Sequence, residues 1–319
     1  MNCHNLCFPG LLWAAKVEDM CGRYASARKR IELLEEFAVE RDRVTESLAP
    51  DYNVAPTKPV YAVLTSRPRG EPADGSGEAE RDAAGRAGGV PGGGVARELR
   101  VVRWGLVPFW AKDRSIGSRM INARAETVDV KPAFRSAFAR HRCLLPADGY
   151  YEWYRLGSDT KAAKQPYYIR RADGGPLAFA GLYELWRDRA VPDDHRDAWL
   201  WTATIITTSA PDELGRIHDR MPMVISPAQW ADWLDPDNSD TADVRALMIP
   251  AGSGELISYP VSRAVNSVRN NGPALIEPAE PDPGAPGSAG PQGEPPARSR
   301  RLPSSASGGS SGMSPDTLF

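Results

Sequence analysis

Leu177-Ala-Phe-Ala-Gly-Leu-Tyr183 and Trp199-Leu-Trp-Thr-Ala-Thr-Ile-Ile-Thr-Thr208 are the two apolar stretches that decide the fold class. Both are rich in β-branched and aromatic residues and show no helical period, so each is predicted to be a buried strand. Four shorter segments have the same character, and they are 60–65, 99–104, 143–145 and 166–170.

Helical patterns are fewer and do not alternate regularly with these strands. Residues 26–40 place Ile31, Leu34 and Phe37 at helical spacing. A second helix is predicted to open at Ser226 as N-cap, with Pro227 next, and a third over 243–248. Because a parallel α/β sheet needs regular alternation, we expect an α+β fold, a single domain on a curved, mainly antiparallel β-sheet or barrel with flanking helices.

The chain of 319 residues is predicted to have one folded unit over 21–277. Residues 1–20 are expected to be a leader that is absent from the mature protein. Residues 67–94 are rich in Gly and lack apolar periodicity, which indicates a flexible insertion. Residues 278–319 are dominated by Pro, Gly and Ser, which is typical of a disordered tail.

Composition excludes several classes of protein. The apolar patch at 11–15 has no basic lead and is too short for a secretory signal, and no stretch reaches the length of a membrane span. The four cysteines, Cys3, Cys7, Cys21 and Cys143, form no paired framework, so we expect a reducing cytoplasm and no disulfides. Cys3, His4 and Cys7 are followed by no second ligand pair, so neither a metal nor a cofactor is expected.

The net charge of −2 gives no global argument for nucleic acid, but the charge is unevenly distributed. Residues 103–142 carry nine basic side chains against three acidic ones. Aromatic residues are interleaved with them, and they are Trp104, Phe109, Trp110, Phe134 and Phe138. The segment is consistent with a solvated charged surface, or with a groove that binds phosphates and stacks bases of single-stranded DNA.

The most reactive candidate follows an internal methionine in Met20-Cys21-Gly-Arg-Tyr-Ala25. If translation starts at Met20, or the leader is removed, Cys21 carries a thiol and a free α-amine on adjacent carbons. An aldehyde condenses with that amine to a Schiff base, and the thiol then closes a five-membered thiazolidine ring. The alternative is that Cys21 is an internal cysteine, which usually behaves as a small buried hydrophobe.

Polar side chains in three further motifs have matching chemistry. Asn122 offers an amide, and Arg124 a phosphate clamp that Glu126 could fix. Glu152 lies in an aromatic-rich strand, where a carboxylate is either paired or suited to proton transfer. His218, in Ile-His-Asp-Arg-Met-Pro, could move protons near neutral pH or be a hydrogen-bonded core residue.

Taken in order, six motifs resemble the SRAP domain family, whose members include abasic-site processing proteins. They are Cys-Gly-Arg-Tyr-Ala, Asn-Val-Ala-Pro-Thr, Trp-Gly-Leu-Val-Pro, Asn-Ala-Arg-Ala-Glu-Thr, Gly-Tyr-Tyr-Glu-Trp and Ile-His-Asp-Arg-Met-Pro. The resemblance covers 20–277 and implies a monomeric sensor that crosslinks itself to abasic sites in single-stranded DNA, in the cytoplasm and at the damaged nucleoid, with strand cleavage as a side activity.

The resemblance also implies roles for individual residues. Cys21 becomes the covalent residue, and its pocket is formed by Asn122, Glu152 and His218. The implied DNA contacts are Arg23, Trp104, Arg124 and Thr207.

The sequence departs from the family pattern because nineteen residues precede Met20. A start at Met20 explains this, and so does autoproteolysis of the Met20–Cys21 bond, since the family is also described as thiol-protease-like. Two other functions remain open at this point. One is a Cys–His hydrolase acting on proteins, and the other is a non-covalent binding module for single-stranded DNA.

Overall fold

The computed structural model describes residues 22–66, 95–157, 162–192, 195, 198–252 and 254–286. The strands in this part of the chain are β1 (Tyr24–Ser26), β2 (Arg41–Asp42), β3 (Asp51–Val54), β4 (Pro59–Ser66), β5 (Ala96–Trp104), β6 (Asn122–Arg124), β7 (Arg142–Ala147), β8 (Gly149–Arg155), β9 (Lys164–Arg171), β10 (Leu177–Arg187), β11 (Trp199–Ser209), β12 (Arg220–Pro222) and β13 (Leu256–Pro260). The α-helices are α1 (Arg30–Glu36), α2 (Arg135–Arg140), α3 (Asp212–Gly215), α4 (Trp230–Leu234) and α5 (Thr241–Ala246). Four 3-10 turns are described as well, over Arg114–Arg119, Pro227–Gln229, Arg263–Asn266 and Pro273–Ile276.

Five strands close into a barrel in the order β4, β5, β11, β10, β7 and back to β4. Most neighbours are antiparallel, as in the long β10–β11 ladder. The closing contact between β5 and β11 is parallel and short, with Arg103 opposite Thr202. The predicted α+β fold on a mainly antiparallel, curved sheet is therefore confirmed.

A second sheet lies against one end of the barrel, in the order β13, β9, β8, β1 and β3. Its Tyr24, Tyr150 and Ile169 belong to the same buried cluster as Trp104 and Phe179, which line the barrel interior. The Tyr24 ring lies 5.2 Å from Trp104 and 5.8 Å from Phe179, both edge to face. This packing holds the beginning of β1, the first described strand, against one mouth of the barrel.

Helices cover the outer face of the barrel and form a second buried cluster with it. Phe37 after α1 stacks on Trp230 of α4 with centroids 4.5 Å apart. Arg142 at the start of β7 donates to the carbonyls of Phe138 and Trp233, which ties α2 and α4 to the barrel. Burial lowers the pKa of the Arg142 guanidinium, and these carbonyl acceptors offset part of the cost of desolvation.

Two predicted helices differ in detail. The first is confined to Arg30–Glu36, because β1 takes the start of the predicted segment and pairs with β3 and β8. The second opens with a 3-10 turn before α4, and Ser226 makes no capping bond to the backbone. Its hydroxyl donates instead to Oε1 of Gln229 at 2.8 Å.

The predicted boundaries fall partly outside the described residues. The leader at 1–20 and the insertion at 67–94 lie outside them, as does Cys21. Residues 278–286 are described although they fall in the predicted tail, and they contact the folded unit. Pro278 forms a bridge with Val261, and Asp282 accepts from Arg263 at 2.6 Å. Among the described residues, no helix is both long and apolar enough to cross a bilayer.

Candidate active site

Asn122 and the turn that carries His218 lie on opposite sides of one strand, β11. On one side β6 runs parallel to it, with Asn122 opposite Ile205 and Arg124 opposite Thr207. On the other side β12 is antiparallel, with Arg220 opposite Ser209. Because neighbouring strands lie about 4.8 Å apart, the two flanking strands are about 10 Å from each other.

Glu152 comes from the second sheet and is only 2% exposed. Its strand β8 pairs with β1, with Tyr24 opposite Tyr150, and the N–H of Tyr151 donates to the carbonyl of Arg23 at 3.0 Å. Continuing the register by two residues from the Tyr24–Tyr150 pair places Gly22 opposite Glu152. The buried carboxylate therefore lies beside Gly22, which is the first described residue and is bonded to Cys21.

Trp104 connects the two halves of this arrangement. Its ring packs on Tyr24 of β1, and its Nε1–H donates to the carbonyl of Ile121 at 2.9 Å, directly before Asn122. Ile217, directly before His218, is 8% exposed and belongs to the same buried cluster. One indole thus holds the start of β1 and the start of β6 together, and the residue before His218 lies in the same buried cluster.

This position corrects the role expected for Trp104. The residue has no exposed surface, so it cannot stack on a base in this structure. Its burial and its hydrogen bond assign it to packing between β1 and β6.

His218 has a defined ring orientation and partial solvent access. Its Nδ1 accepts from the N–H of Arg220 at 3.0 Å, and the side chain is 21% exposed. With Nδ1 as acceptor, Nε2 carries the proton of the neutral ring. The Asp219 carboxylate lies 3.2 Å from Nδ1. The imidazole is therefore placed to exchange a proton.

Glu126 contacts Arg220 rather than Arg124, which corrects the expected pairing. Oε1 and Oε2 of Glu126 accept from the two terminal nitrogens of Arg220 at 2.5 and 3.0 Å. The hydrogen bond with Arg220 lowers the pKa of Glu126. Arg124 itself is exposed, which leaves its guanidinium accessible to a phosphate.

Thr207 is also assigned a different role by its position. It has no exposed surface, and its carbonyl accepts from Arg220 at 2.7 Å. Thr207 therefore has no surface open to DNA in this structure. Thr207 and Glu126 together hold Arg220, and the backbone N–H of Arg220 in turn holds the His218 ring.

We expect Glu126→Gln to reduce stability at neutral pH by less than about 1 kcal/mol, because the Glu126 side chain is 49% exposed. A carboxylate with a lowered pKa stabilises the folded state above its unfolded pKa, and that contribution disappears as the pH falls through the lower folded pKa. The difference between the two proteins in urea midpoint should therefore be present at pH 7 and vanish in strong acid. A difference that grows towards low pH would contradict the assignment of the pair.

Arg23 directly precedes β1, two residues after Cys21 in the sequence. Its guanidinium donates from NH1 to Oδ1 of Asn53 at 2.8 Å and to the carbonyl of Val265 at 3.1 Å. It also lies over the ring of Trp153, with its central carbon 5.6 Å from the ring centroid. Partial burial lowers the pKa of Arg23, whose cation is retained at neutral pH.

The basic, aromatic stretch divides into buried and exposed residues. Phe134 and Phe138 belong to the core with Trp104, whereas Phe109 is 60% and Trp110 48% exposed. The Nε1–H of Trp186 donates to the carbonyl of Ala111 at 2.8 Å, which anchors the loop carrying the exposed pair. The sequence pattern does not separate these five aromatic residues by exposure. The one local signal is the turn residue Pro108, which directly precedes the exposed pair.

The described residues contain no group of three or more His, Cys, Asp or Glu side chains that could hold a metal ion. Cys143 is the cysteine within this part of the chain, and it is buried in the barrel with a free thiol. Burial raises the pKa of Cys143, so this thiol is unreactive at neutral pH.

Comparison with known proteins gives one consistent family. The family model for SOS response associated peptidase (SRAP) matches residues 20–268. The chain is 36% identical over 258 residues to the abasic site processing protein YoqW of Bacillus subtilis, covering 81% of this chain and 99% of that protein. It is 31% identical over 266 residues to the abasic site processing protein YedK of Escherichia coli, covering 81% of this chain and 100% of that protein.

Solved structures agree with the fold. A crystal structure of a protein from Bacteroides thetaiotaomicron superimposes with a TM-score of 0.61 at 25% identity, covering 82% of this chain and 100% of that one. A phage-related protein from Bordetella bronchiseptica gives a TM-score of 0.51 at 27% identity, covering 76% and 95% of the two chains. With its family match over most of its length and relatives above 30% identity, the chain belongs to the SRAP (SOS response associated peptidase) family.

Proposed function

We propose that this protein processes abasic sites in single-stranded DNA by forming a covalent crosslink through an N-terminal Cys21. Relatives similar over most of this chain are named abasic site processing proteins, which supports the substrate class. The observation that carries the proposal is the burial of Glu152 beside Gly22, the residue to which Cys21 is bonded. The proposal places the α-amine of a terminal Cys21 near this carboxylate, because consecutive Cα atoms are about 3.8 Å apart.

The chemistry proceeds in two balanced steps. The neutral α-amine of Cys21 attacks C1′ of the open-chain aldehyde, and loss of one water gives the Schiff base. The thiol sulfur then attacks the same carbon, the C=N electron pair moves to nitrogen, and the thiol proton is transferred to it. The product is a thiazolidine ring that contains both Cys21 heteroatoms, and the net loss is one water.

Three side chains have distinct roles in these steps. Glu152 accepts a proton from the α-amine, which is mostly charged at neutral pH because its reference pKa is about 8. His218 exchanges a proton at Nε2 to assist opening of the closed sugar, because only the open form is an aldehyde. Asn122, at the start of β6, orients the Cys21 terminus.

DNA is held by charges and aromatic surfaces around this pocket. Arg23 and Arg124 contact phosphates flanking the lesion, and the exposed Phe109 and Trp110 offer faces for neighbouring bases. Single-stranded DNA is the expected substrate, because a sugar within a stacked duplex must first be extruded to reach a buried pocket. Binding is therefore expected to weaken as salt is raised.

Two accessory activities belong to the same proposal. The Schiff base acidifies the protons on C2′, so a fraction of the complexes cleaves the strand by β-elimination. If translation begins upstream, the Cys21 thiolate attacks the Met20 carbonyl carbon, the Met20–Cys21 C–N bond breaks, and the released amine takes up a proton. Water then hydrolyses the resulting thioester, which frees the thiol and releases the leader as a carboxylic acid, with Glu152 and His218 exchanging the protons. The word peptidase in the family description is compatible with that step.

The test is to incubate protein that begins at Cys21 with a single-stranded oligonucleotide containing one abasic site, and to separate the products under denaturing conditions. We expect a stable adduct whose mass is the sum of protein and DNA less one water, and no adduct with Cys21→Ala. Binding without an adduct would support a non-covalent module, and proteolysis of an added protein substrate without an adduct would support a Cys–His hydrolase. An adduct that persists in Cys21→Ala would overturn the thiazolidine chemistry.

A further inference from the structure

Asn53 has no exposed surface and uses both ends of its amide. Its Nδ2 donates to the carbonyls of Val265, Ser267 and Asn270 at 3.2, 2.9 and 3.0 Å. Its Oδ1 accepts from NH1 of Arg23 at 2.8 Å. One buried side chain therefore joins the loop at 265–270 to the arginine two residues after Cys21.

Among the described residues, the remaining contacts of Arg23 involve only NH1 and one face of the guanidinium. NH1 also donates to the Val265 carbonyl, and Trp153 supports the guanidinium from one face. The Nε1–H of Trp153 donates in turn to Oδ1 of Asn266 at 2.7 Å, so the platform is tied to the same loop. A guanidinium has five N–H donors, and with NH1 held on the protein its Nε and NH2 edge is the one presented to a ligand.

Asn53 is the only acceptor side chain that holds this orientation within the described part of the chain. The other acceptor of Arg23, Val265, is itself held by Asn53 through its carbonyl. An arginine side chain loses substantial rotamer freedom when it is fixed. If the protein already fixes the guanidinium, this entropy is lost before a phosphate binds, and it no longer weakens the binding. Both acceptors of the arginine thus depend on one neutral, buried amide.

We propose that Asn53 is a positioning residue for DNA, which holds the Arg23 guanidinium with one edge towards a phosphate of the strand at the lesion. The inference rests on the proposed function, in which Arg23 contacts DNA, and adds the residue through which that contact is made. Asn53 has no charge and no exposed surface, so it acts on DNA through Arg23 rather than by touching it.

Salt dependence separates this role from a structural one. Each phosphate contact to a single strand contributes about 0.7 to the slope of log affinity against log salt. Replacing a neutral residue that only supports the fold lowers affinity without changing that slope. Removing a neutral residue that holds Arg23 on a phosphate should lower the slope as though the arginine itself had been removed.

The experiment measures binding of an undamaged single-stranded oligonucleotide at several salt concentrations, because undamaged DNA forms no adduct. For Asn53→Ala we expect the slope to fall by about 0.7 and affinity at 0.1 M salt to fall about fivefold. Arg23→Ala should show the same change, and the double variant should match Arg23→Ala, since residues that act through one contact are not additive.

Asn271→Ala is the matched control. Asn271 accepts from the N–H of Tyr52 at 2.8 Å and donates to the carbonyl of Pro50 at 3.0 Å, so it ties the same loop to β3 without contacting Arg23. The slope of log affinity against log salt should be the same for Asn271→Ala as for the wild type. If Asn53→Ala does not fold, Asn53→Ser, which retains a donor but is too short to reach Arg23, replaces it in every arm.

An unchanged slope in the folded Asn53 variant, or additive losses in the double variant, would overturn the proposal. So would an unchanged slope in Arg23→Ala, since Asn53 would then have no phosphate contact to support. The adduct test is independent of all three results. Loss of the Cys21 adduct with the slopes as expected would refute the covalent chemistry and leave the role of Asn53 intact.

Discussion

Glu152→Gln is expected to slow adduct formation about tenfold at pH 7, in protein that begins at Cys21. The amide keeps the shape of the buried side chain, but it cannot accept a proton from the α-amine. At pH 7 only about one tenth of an ordinary α-amine is neutral, so without a base most collisions with the aldehyde are unproductive. The measurement is the rate of appearance of the denaturation-resistant band at saturating DNA.

The dependence on pH identifies the role. Above the ordinary pKa of the amine, which is about 8, the amine is neutral without help, so the deficit of Glu152→Gln should shrink to less than about twofold at pH 9. A deficit of equal size at pH 7 and pH 9 would contradict proton transfer from the amine.

Glu98→Gln supplies the matched control for this substitution. Glu98 is another buried glutamate, 1% exposed, and it accepts from Ser66 Oγ at 2.7 Å and from Arg100. It lies six residues before Trp104 along β5, about 20 Å towards the other mouth of the barrel. Its variant should lose stability and retain the wild-type rate of adduct formation.

Trp104→Ala is expected to lower the free energy of unfolding by about 3–5 kcal/mol, which is much of the stability of an ordinary domain. The indole has no exposed surface, packs on Tyr24 and donates to the carbonyl of Ile121. Its removal leaves a cavity between β1 and β6 and a buried carbonyl without its donor. Urea unfolding followed by far-UV circular dichroism measures the change.

Trp104→Phe separates packing from the hydrogen bond. The phenyl ring fills most of the space but has no N–H, so we expect a loss of about 1–3 kcal/mol. A loss below about 1 kcal/mol for Trp104→Ala would show that Trp104 does not hold the two sheets together. It would also restore the earlier interpretation of Trp104 as a surface aromatic available to DNA.

The sequence was sufficient for the strands and the fold class because their signal is local. Residues 177–183 and 199–208 form the cores of β10 and β11, which extend to Leu177–Arg187 and Trp199–Ser209. Closure of the barrel was not predictable, since the parallel contact of Arg103 with Thr202 joins residues far apart in the chain. The capping pattern at Ser226 was also misleading, because its hydroxyl found Gln229 instead of the backbone.

The candidate site was also predictable only in part. Motif chemistry singled out Asn122, Glu152 and His218, and the structure places the first and last on either side of β11. Exposure was not encoded in those motifs, so Trp104 and Thr207 were expected to contact DNA although both are buried. The role of Asn53 was not predictable, because an asparagine in a turn-like motif gives no sign of a partner 30 residues away in sequence.

If the free α-amine of Cys21 takes part in the crosslink, blocking that amine abolishes the adduct even when the thiol is retained. Two proteins are prepared from a cleavable fusion, one beginning at Cys21 and the other at a single added glycine before Cys21. Both retain the thiol, and they are incubated with the same abasic single strand. We expect a denaturation-resistant adduct, with the mass of protein plus DNA less one water, for the first protein and none for the second. Equal yields from the two would contradict it.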